Sequence, residues 1–121
     1  MKVIIAGSRD IRDYEIVREA IKASNFHITE VVSGRARGVD QNGEAWAFDN
    51  DVACKMFSAD WEKHGKSAGP IRNEQMADYV GKEGGLIACW DGVSKGTKHM
   101  IERSKSKGLN VFVFNVKRKQ I

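Results

Sequence analysis

The chain has 121 residues, of which 41% are hydrophobic and 30% are charged, as in one soluble globular domain. No apolar stretch approaches the roughly 20 residues that a membrane helix needs, and the N-terminal segment becomes polar too early for a signal peptide. We therefore expect a cytoplasmic protein without a membrane partner. The net charge of +4 is compatible with an anionic ligand, but charge alone does not indicate a nucleic-acid binder.

Apolar runs typical of buried strands alternate with apolar residues at helical spacing along the whole chain. Five strands are predicted, over residues 2–6, 28–32, 52–58, 86–90 and 109–116. Four helices are predicted between them, starting from Tyr14, Val39, Pro70 and Thr97. Because each crossover helix has to pack back on the sheet, this alternation indicates an α/β fold with a parallel sheet covered on both faces.

Glycine and proline mark the predicted helix ends. The second helix fades at residues 50–51, and Gly43 in its middle weakens the pattern. A polar segment over residues 59–69 precedes Pro70, which suits the first turn of the third helix because its missing N–H has no intrahelical partner there. Residues 84–85 end that helix, and Gly108 ends the fourth.

The most unusual residues follow the carboxyl ends of the first four predicted strands. They form the segments GSR at 7–9, SGRARGVD at 33–40, ADWEKHGKSAGPIRN at 59–73 and WDGVSKGT at 90–97. In an open parallel sheet the carboxyl ends of the strands share one edge, and ligands bind in the crevice where the strand order reverses. The sequence therefore predicts a binding site at this edge.

Two of these segments have the components of an anion site. Glycines let the backbone approach a ligand, and helix N-termini offer free N–H groups and partial positive charge. Arg35 and Arg37 add forked donors suited to phosphate, and residues 91–97 add hydroxyl groups and Lys95. Together they fit a ligand with two phosphates, or with a phosphate and a ribose. The alternative is plain turn geometry, since SGRARG lacks the spacing of GxGxxG or of a Walker A loop.

Asp40, His64 and Asp91 are candidate catalytic residues. The two aspartates could be catalytic acids or ribose ligands, but an acid near a helix start more often caps the helix, and capping is the favoured interpretation of Asp40. His64 titrates near neutral pH and could be a general acid or base, although a lone loop histidine more often has neither role. Trp61 could stack on a base or close one end of the core.

The remaining special residues have structural interpretations. Cys54 and Cys89 are predicted to be reduced, buried thiols, because the chain has no CxxC pair and no histidine cluster. For the same reason no metal site is predicted, and no cofactor is expected. Trp46 and Trp90 are predicted core residues.

The four segments above resemble, in the same order and over nearly the whole chain, those of the YpsA-related branch of the SLOG superfamily. This resemblance implies a Rossmann-like three-layer sandwich with a five-stranded parallel sheet in the order 3-2-1-4-5. The domain would span residues 1–116, followed by a basic tail over 117–121. The superfamily includes the LOG phosphoribohydrolases, the DNA-processing protein DprA, and sensors of nucleotide-derived signals, including ADP-ribose derivatives, in bacterial and phage conflict systems.

The resemblance also implies a division of the site into two phosphate-sugar loops. One comprises Gly34, Arg35, Arg37, Gly38 and Asp40, and the other comprises Gly92, Ser94, Gly96 and Thr97. The second loop of the LOG enzymes reads like PGGxGTxxE, with a catalytic glutamate where this chain has Met100. Glu102 is two places further on and faces elsewhere on the helix. A thioether cannot stabilise a ribosyl cation, so the phosphoribohydrolase chemistry is not expected.

The expected function is the binding of an ADP-ribose-like nucleotide, as a sensor or sequestering protein in bacterial or phage conflict. Arg9, Arg35, Arg37 and Arg72 would engage phosphates, and Asp40 or Asp91 a ribose hydroxyl. The full predicted ligand-binding set is Gly7, Ser8, Arg9, Gly34, Arg35, Arg37, Gly38, Asp40, Trp61, Arg72, Asn73, Asp91, Gly92, Ser94, Gly96 and Thr97.

Two alternatives stay open. The first is a hydrolase of an N-glycosidic or phosphate bond that uses Asp40, His64 or Asp91 as acid or base. The second is single-stranded DNA binding through the basic tail, which ranks below the others because only 8% of the residues are aromatic and none are interleaved with basic ones. The resemblance further implies self-association into a dimer or a higher oligomer.

Overall fold

A computed structural model describes residues 1–117 and contains one parallel sheet of five strands. The strands are β1 (Lys2–Gly7), β2 (Glu30–Ser33), β3 (Ala53–Met56), β4 (Gly85–Trp90) and β5 (Asn110–Asn115). Their order across the sheet is β3-β2-β1-β4-β5, and every neighbouring pair is parallel. The α/β fold and the strand order are therefore confirmed. Apart from Lys117, the predicted basic tail lies outside the described residues.

Helices cover both faces of the sheet. They are α1 (Tyr14–Ser24), α2 (Val39–Asp49), α3 (Trp61–His64), α4 (Ala68–Val80) and α5 (Lys95–Ser106), and a 3₁₀ turn over Gly65–Ser67 joins α3 to α4. In the central strand β1, Val3 and Ile5 pack with α1 and α2, whereas Ile4 and Ala6 pack with α4 and α5. This alternation follows from the two-residue period of a strand and produces the three layers.

The reversal of strand order at β1 creates a crevice beside this strand. The chain leaves β1 towards β2 and β3 on one side, then crosses to β4 on the other side. The loops that follow β1 and β4 consequently diverge, although the two strands are still paired at Gly7 and Cys89. Such a point is where open α/β sheets bind their ligands.

Several boundaries differ from those predicted. Helix α4 begins at Ala68, two residues before Pro70, so the proline still lies in the first turn. The helix ends at Val80 rather than at 84–85. The backbone turns at Gly81, whose φ of +73° favours glycine. The polar segment contains the short helix α3, in which Asp60 caps the N-terminus by accepting from Lys63 N. Strand β3 is shorter than predicted, and as an edge strand it is largely exposed.

Packing explains the glycine that weakened the helical pattern of α2. Gly43 lies against β1 so closely that an added Cβ would be 2.8 Å from Ile5 Cγ2. Trp46 and Trp90 are only partly buried and pack at the edge of the two cores rather than inside them. Cys89 is buried as predicted, but Cys54 is half-buried because it lies on β3; both are free thiols.

Among residues 1–117, no helix has the length and apolar character needed to span a bilayer.

Candidate ligand-binding site

A central pocket of about 410 Å³ opens at the carboxyl ends of β1, β2 and β4. It combines residues from the loops after these strands with residues from α4 and α5. Ten of the sixteen predicted ligand-binding residues line it, namely Gly7, Ser8, Arg9, Asp40, Arg72, Asn73, Asp91, Ser94, Gly96 and Thr97. The fold thus brings together residues that are 90 positions apart in the chain.

An arginine hollow of about 600 Å³ adjoins the central pocket. Five arginines line it, namely Arg9, Arg12, Arg35, Arg37 and Arg72, together with Gly34 and Trp61. The Trp61 side chain is 52% exposed, so this residue does not close the core. Four residues line both spaces, namely Arg9, Asp10, Ala36 and Arg72. The two spaces therefore form one continuous crevice.

Three predicted residues lie apart from both spaces. Gly38 lines a third hollow, of about 390 Å³, beyond Arg37. His64 lines a smaller one, of about 210 Å³, which Arg72 also lines. Gly92 lines none of these hollows in the described part of the chain, and its φ of +82° indicates a conformational role. The structure consequently separates His64 from the two aspartates with which it was grouped.

Arg72 connects the crevice's two parts. Its Nη1 donates to the carbonyl of Gly34 at 3.0 Å, and its Nη2 lies 3.5 Å from Asn73 Oδ1. Its Nε is buried and has no hydrogen-bond partner within residues 1–117. An added Cβ on Gly34 would be 2.9 Å from that Nε, so the glycine lets the guanidinium lie against the loop. Burial lowers the pKa of Arg72, which the nearby Asp40 carboxylate opposes.

Asp40 holds the first loop in place and does not cap its helix, so the capping interpretation is wrong. The N-cap residue of α2 is Gly38, and Asp40 is the second residue of the helix. Its Oδ2 accepts from the backbone N–H of Ala36 at 3.3 Å. Burial raises the pKa of Asp40 to about 6, although this hydrogen bond and the Arg72 guanidinium both lower it. The carboxyl group therefore changes its protonation state just below neutral pH.

The shifted pKa of Asp40 predicts a change of stability with pH. Because the native pKa is raised above the unfolded value of 3.8 to about 6, the native state binds more protons between these two pH values, and stability falls as the pH rises through them. The expected loss is up to about 3 kcal/mol in the free energy of unfolding. Asp40→Asn keeps the acceptor for Ala36 and should remove this part of the pH dependence. Urea unfolding of both proteins at pH 4 and pH 7 tests it, and parallel pH profiles would contradict it.

The second loop is ordered by its own polar side chains. Asp91 Oδ1 accepts from the N–H groups of Val93 and Ser94, at 2.8 and 2.9 Å. Ser94 caps α5 by accepting from Thr97 N, and the two hydroxyl oxygens are 3.0 Å apart. Ser8 joins this loop to β1, because its Oγ accepts from Asp91 N at 3.2 Å. These contacts place the N-terminus of α5 at the pocket wall.

Gly34 and Gly96, two of the glycines that line the crevice, differ in what the protein requires of them. Gly34 has the Arg72 and Asp40 side chains within about 3 Å of an added Cβ, whereas Gly96 has nothing within 4 Å. Gly96 lies in the first turn of α5 with an ordinary helical φ. The fold itself therefore does not require a glycine there, although Gly96 lines the central pocket.

Sequence reasoning missed several residues of the crevice. Asp10 and Val93 line the central pocket, and Arg12 lines the arginine hollow. His99, on α5, does not line the crevice but contacts the lining residue Asn73, whose Nδ2 is 3.1 Å from His99 Nδ1, and thereby connects α4 to α5. Arg12 and Asp10 lie just beyond the GSR segment and could have been included with it. His99 lies inside a regular helix and left no signal.

Met100 lines the central pocket at the position where the resemblance places a catalytic glutamate. Its side chain is buried in the core between α4, α5 and the sheet. Glu102 is largely exposed and lies 3.9 Å from Lys98 Nζ on the outer face of α5. Helix α5 therefore contributes no carboxylate to the lining of the central pocket.

Comparison with known proteins agrees with this architecture. The model of the YspA, cpYpsA-related SLOG family matches residues 1–64. Gene 61 protein of Mycobacterium phage D29 is 34% identical over 128 aligned residues, which cover 96% of this chain and 98% of that protein. No solved structure matches the chain. With a match over more than half of its length, the chain belongs to the YspA, cpYpsA-related SLOG family.

Proposed function

We propose that this protein binds a nucleotide or a nucleotide-derived small molecule, of the ADP-ribose type, in the crevice at the carboxyl edge of its sheet. Family membership suggests a nucleotide-related function. The phage relative supports a role in conflict between phage and bacterium, in which the protein senses or sequesters its ligand.

The division of charge in the crevice supports an orientation for the ligand. The central pocket contains the carboxylates of Asp10, Asp40 and Asp91 beside hydroxyl and amide groups. These groups suit the hydroxyls of a sugar. The arginine hollow has five guanidinium groups and one carboxylate in its lining, and guanidinium forks suit phosphate oxygens. The exposed Trp61 in that hollow offers a surface on which a base can stack.

Arg72 is the observation on which the proposal depends most. It lines both parts of the crevice, and its buried Nε lacks a partner within residues 1–117. Most buried donors in folded proteins are hydrogen-bonded, because an unpaired one costs about 1–3 kcal/mol. Because Nε is closed off from solvent here, a phosphate oxygen would supply the missing acceptor only if the Arg72 side chain shifts towards the ligand.

Ligand binding and turnover can be measured together. We expect AMP, ADP or ADP-ribose to raise the melting temperature of the purified protein while chromatography recovers the nucleotide unchanged. If none of these nucleotides changes the melting temperature of the protein, the proposal is contradicted. Mass spectrometry of the native protein as purified from cells would identify a bound ligand directly.

One observation keeps the hydrolase alternative in view. The raised pKa of Asp40, about 6, leaves a carboxylic acid that can donate a proton near neutral pH. If products appear in the chromatogram and Asp40→Asn abolishes them, the protein is a hydrolase. Met100, in place of the glutamate of the related enzymes, is the observation against it.

Gly96→Ala separates ligand binding from folding. The added methyl meets no protein atom within 4 Å, and because Gly96 lines the central pocket the methyl would narrow the space available to the ligand. We expect the affinity for the best nucleotide to fall about tenfold, or about 1.4 kcal/mol. The free energy of unfolding should stay constant or rise by about 0.5 kcal/mol, because alanine is the better helix former. Calorimetric titration and urea unfolding measure the two effects, and unchanged affinity would place the ligand elsewhere.

A further inference from the structure

Arg12 and Arg37 extend the crevice beyond the site described above. Both line the arginine hollow, and both also line the third hollow, of about 390 Å³, with Gly38, Gln41 and Asn42. The three hollows therefore form a row that begins at the central pocket and ends between these two arginines. Arg12 belongs to none of the segments that the sequence singled out.

The backbone fixes this arrangement. Asn42 Nδ2 donates to the carbonyl of Arg12 at 3.0 Å, so the loop after β1 is held against α2. The same loop lies against Gly38, whose added Cβ would be 2.6 Å from the carbonyl of Arg9. These contacts use the backbone carbonyls of Arg9 and Arg12. The guanidinium groups of these two arginines therefore stay available to the hollows.

No ion pair within residues 1–117 uses Arg12 or Arg37, although Asp10 also lines the arginine hollow and Asp40 attracts Arg72. The ion pairs within residues 1–117 use Arg18, Lys98, Arg103 and Lys107 as cations. Arg12 and Arg37 are exposed. Like charges gathered around one hollow repel each other, and an anion between them removes that cost.

We propose that the end of this row is a second anion subsite, in which Arg12 and Arg37 hold a phosphoryl group separate from the one at Arg72. The inference rests on the proposed function and deepens it, because it assigns the ligand to small molecules that carry phosphoryl groups at two positions. Arg12 and Arg37 are then specificity-determining residues, which favour such a ligand over a mononucleotide with a single phosphate.

The same row of arginines could follow the backbone of a nucleic acid, but the lining favours a small molecule. Proteins that bind single strands combine a basic groove with several aromatic side chains on which successive bases stack. Among the described residues that line the three hollows, the one aromatic residue is Trp61, which lies in the arginine hollow.

A matched set of nucleotides tests the subsite. We would titrate the protein with AMP, adenosine 2′,5′-bisphosphate and adenosine 3′,5′-bisphosphate by calorimetry at constant ionic strength. At least one bisphosphate should bind about tenfold or more tightly than AMP, since each charge-assisted contact contributes about that factor. The double variant Arg12→Gln/Arg37→Gln should weaken bisphosphate binding more than AMP binding, so that the ratio of the two affinities falls to about one. Arg18→Gln, an exposed arginine on α1 that pairs with Glu15, is the control and should behave as the native protein does.

The possible failures are distinguishable. If AMP binds and both bisphosphates bind no better, the second subsite is overturned while the proposed function stands. An advantage that survives the double variant likewise overturns the roles of Arg12 and Arg37. If none of the three nucleotides binds, the proposed function and the subsite are overturned together. Affinity for oligodeoxythymidylate that rises with its length, and falls in the double variant, would assign the row to nucleic acid instead.

Discussion

Arg72→Met should reduce the affinity for a nucleotide that stabilises the native protein by about 100-fold or more, or about 3 kcal/mol. The guanidinium lies in the wall of both parts of the crevice, and its Nε is a buried donor without a partner in residues 1–117. Methionine fills a similar volume but donates no hydrogen bond and carries no charge. Calorimetric titration of the two proteins measures the loss, and an unchanged affinity would remove Arg72 from the ligand site.

The same variant has a second expected effect that does not depend on a ligand. Arg72 lowers the pKa of Asp40, so its removal should raise that pKa above its value of about 6. Carbon-13 NMR of the aspartate carboxyl groups follows this titration directly. Arg72→Lys keeps a positive charge without the forked donor and should fall between the two proteins in affinity. Arg18→Met, on the surface of α1, is the control and should change neither property.

Most of the fold could be predicted from the sequence because its hydrophobic pattern is local. Residues 3–6 of the run KVIIA are buried on both faces of β1, and the apolar residues Val17, Ala20 and Ile21 form the buried side of α1. The boundaries of α4 were less predictable, since Ala68 and Gly69 carry no helix-start signal yet are buried against the fold. The strand order came from the resemblance to a family, because no local pattern encodes the side of β1 on which β4 pairs.

The gathering of the candidate site residues at one edge of the sheet was predictable, and their arrangement within the crevice was less so. Residues that follow strands had to meet at one edge, and the central pocket and the arginine hollow gather Arg9, Asp40, Arg72 and Thr97 there. The role of Asp40 could not be predicted, because it depends on the position of Ala36, four residues earlier, in a folded loop. Self-association stays a prediction.

The arrangement of the crevice depends on a backbone conformation that only glycine adopts readily at one position. Gly38 has a φ of +76°, and an added Cβ would be 2.6 Å from the carbonyl of Arg9 and 2.8 Å from those of Ser8 and Ile11. Gly38→Ala therefore combines backbone strain with a steric clash that forces the loops after β1 and β2 apart. We expect the free energy of unfolding to fall by about 4 kcal/mol.

Gly92→Ala is the matched control for this variant. Gly92 has a similar φ, +82°, but an added Cβ would have no atom within 4 Å, so the substitution causes strain without a clash. We expect it to cost about 1 kcal/mol. Urea unfolding of both variants separates the two effects, and equal losses would contradict the close contact at Gly38. If the clash does part the two loops, Gly38→Ala should also weaken nucleotide binding, because Arg9 and Arg12 lie on one loop and Arg35 and Arg37 on the other.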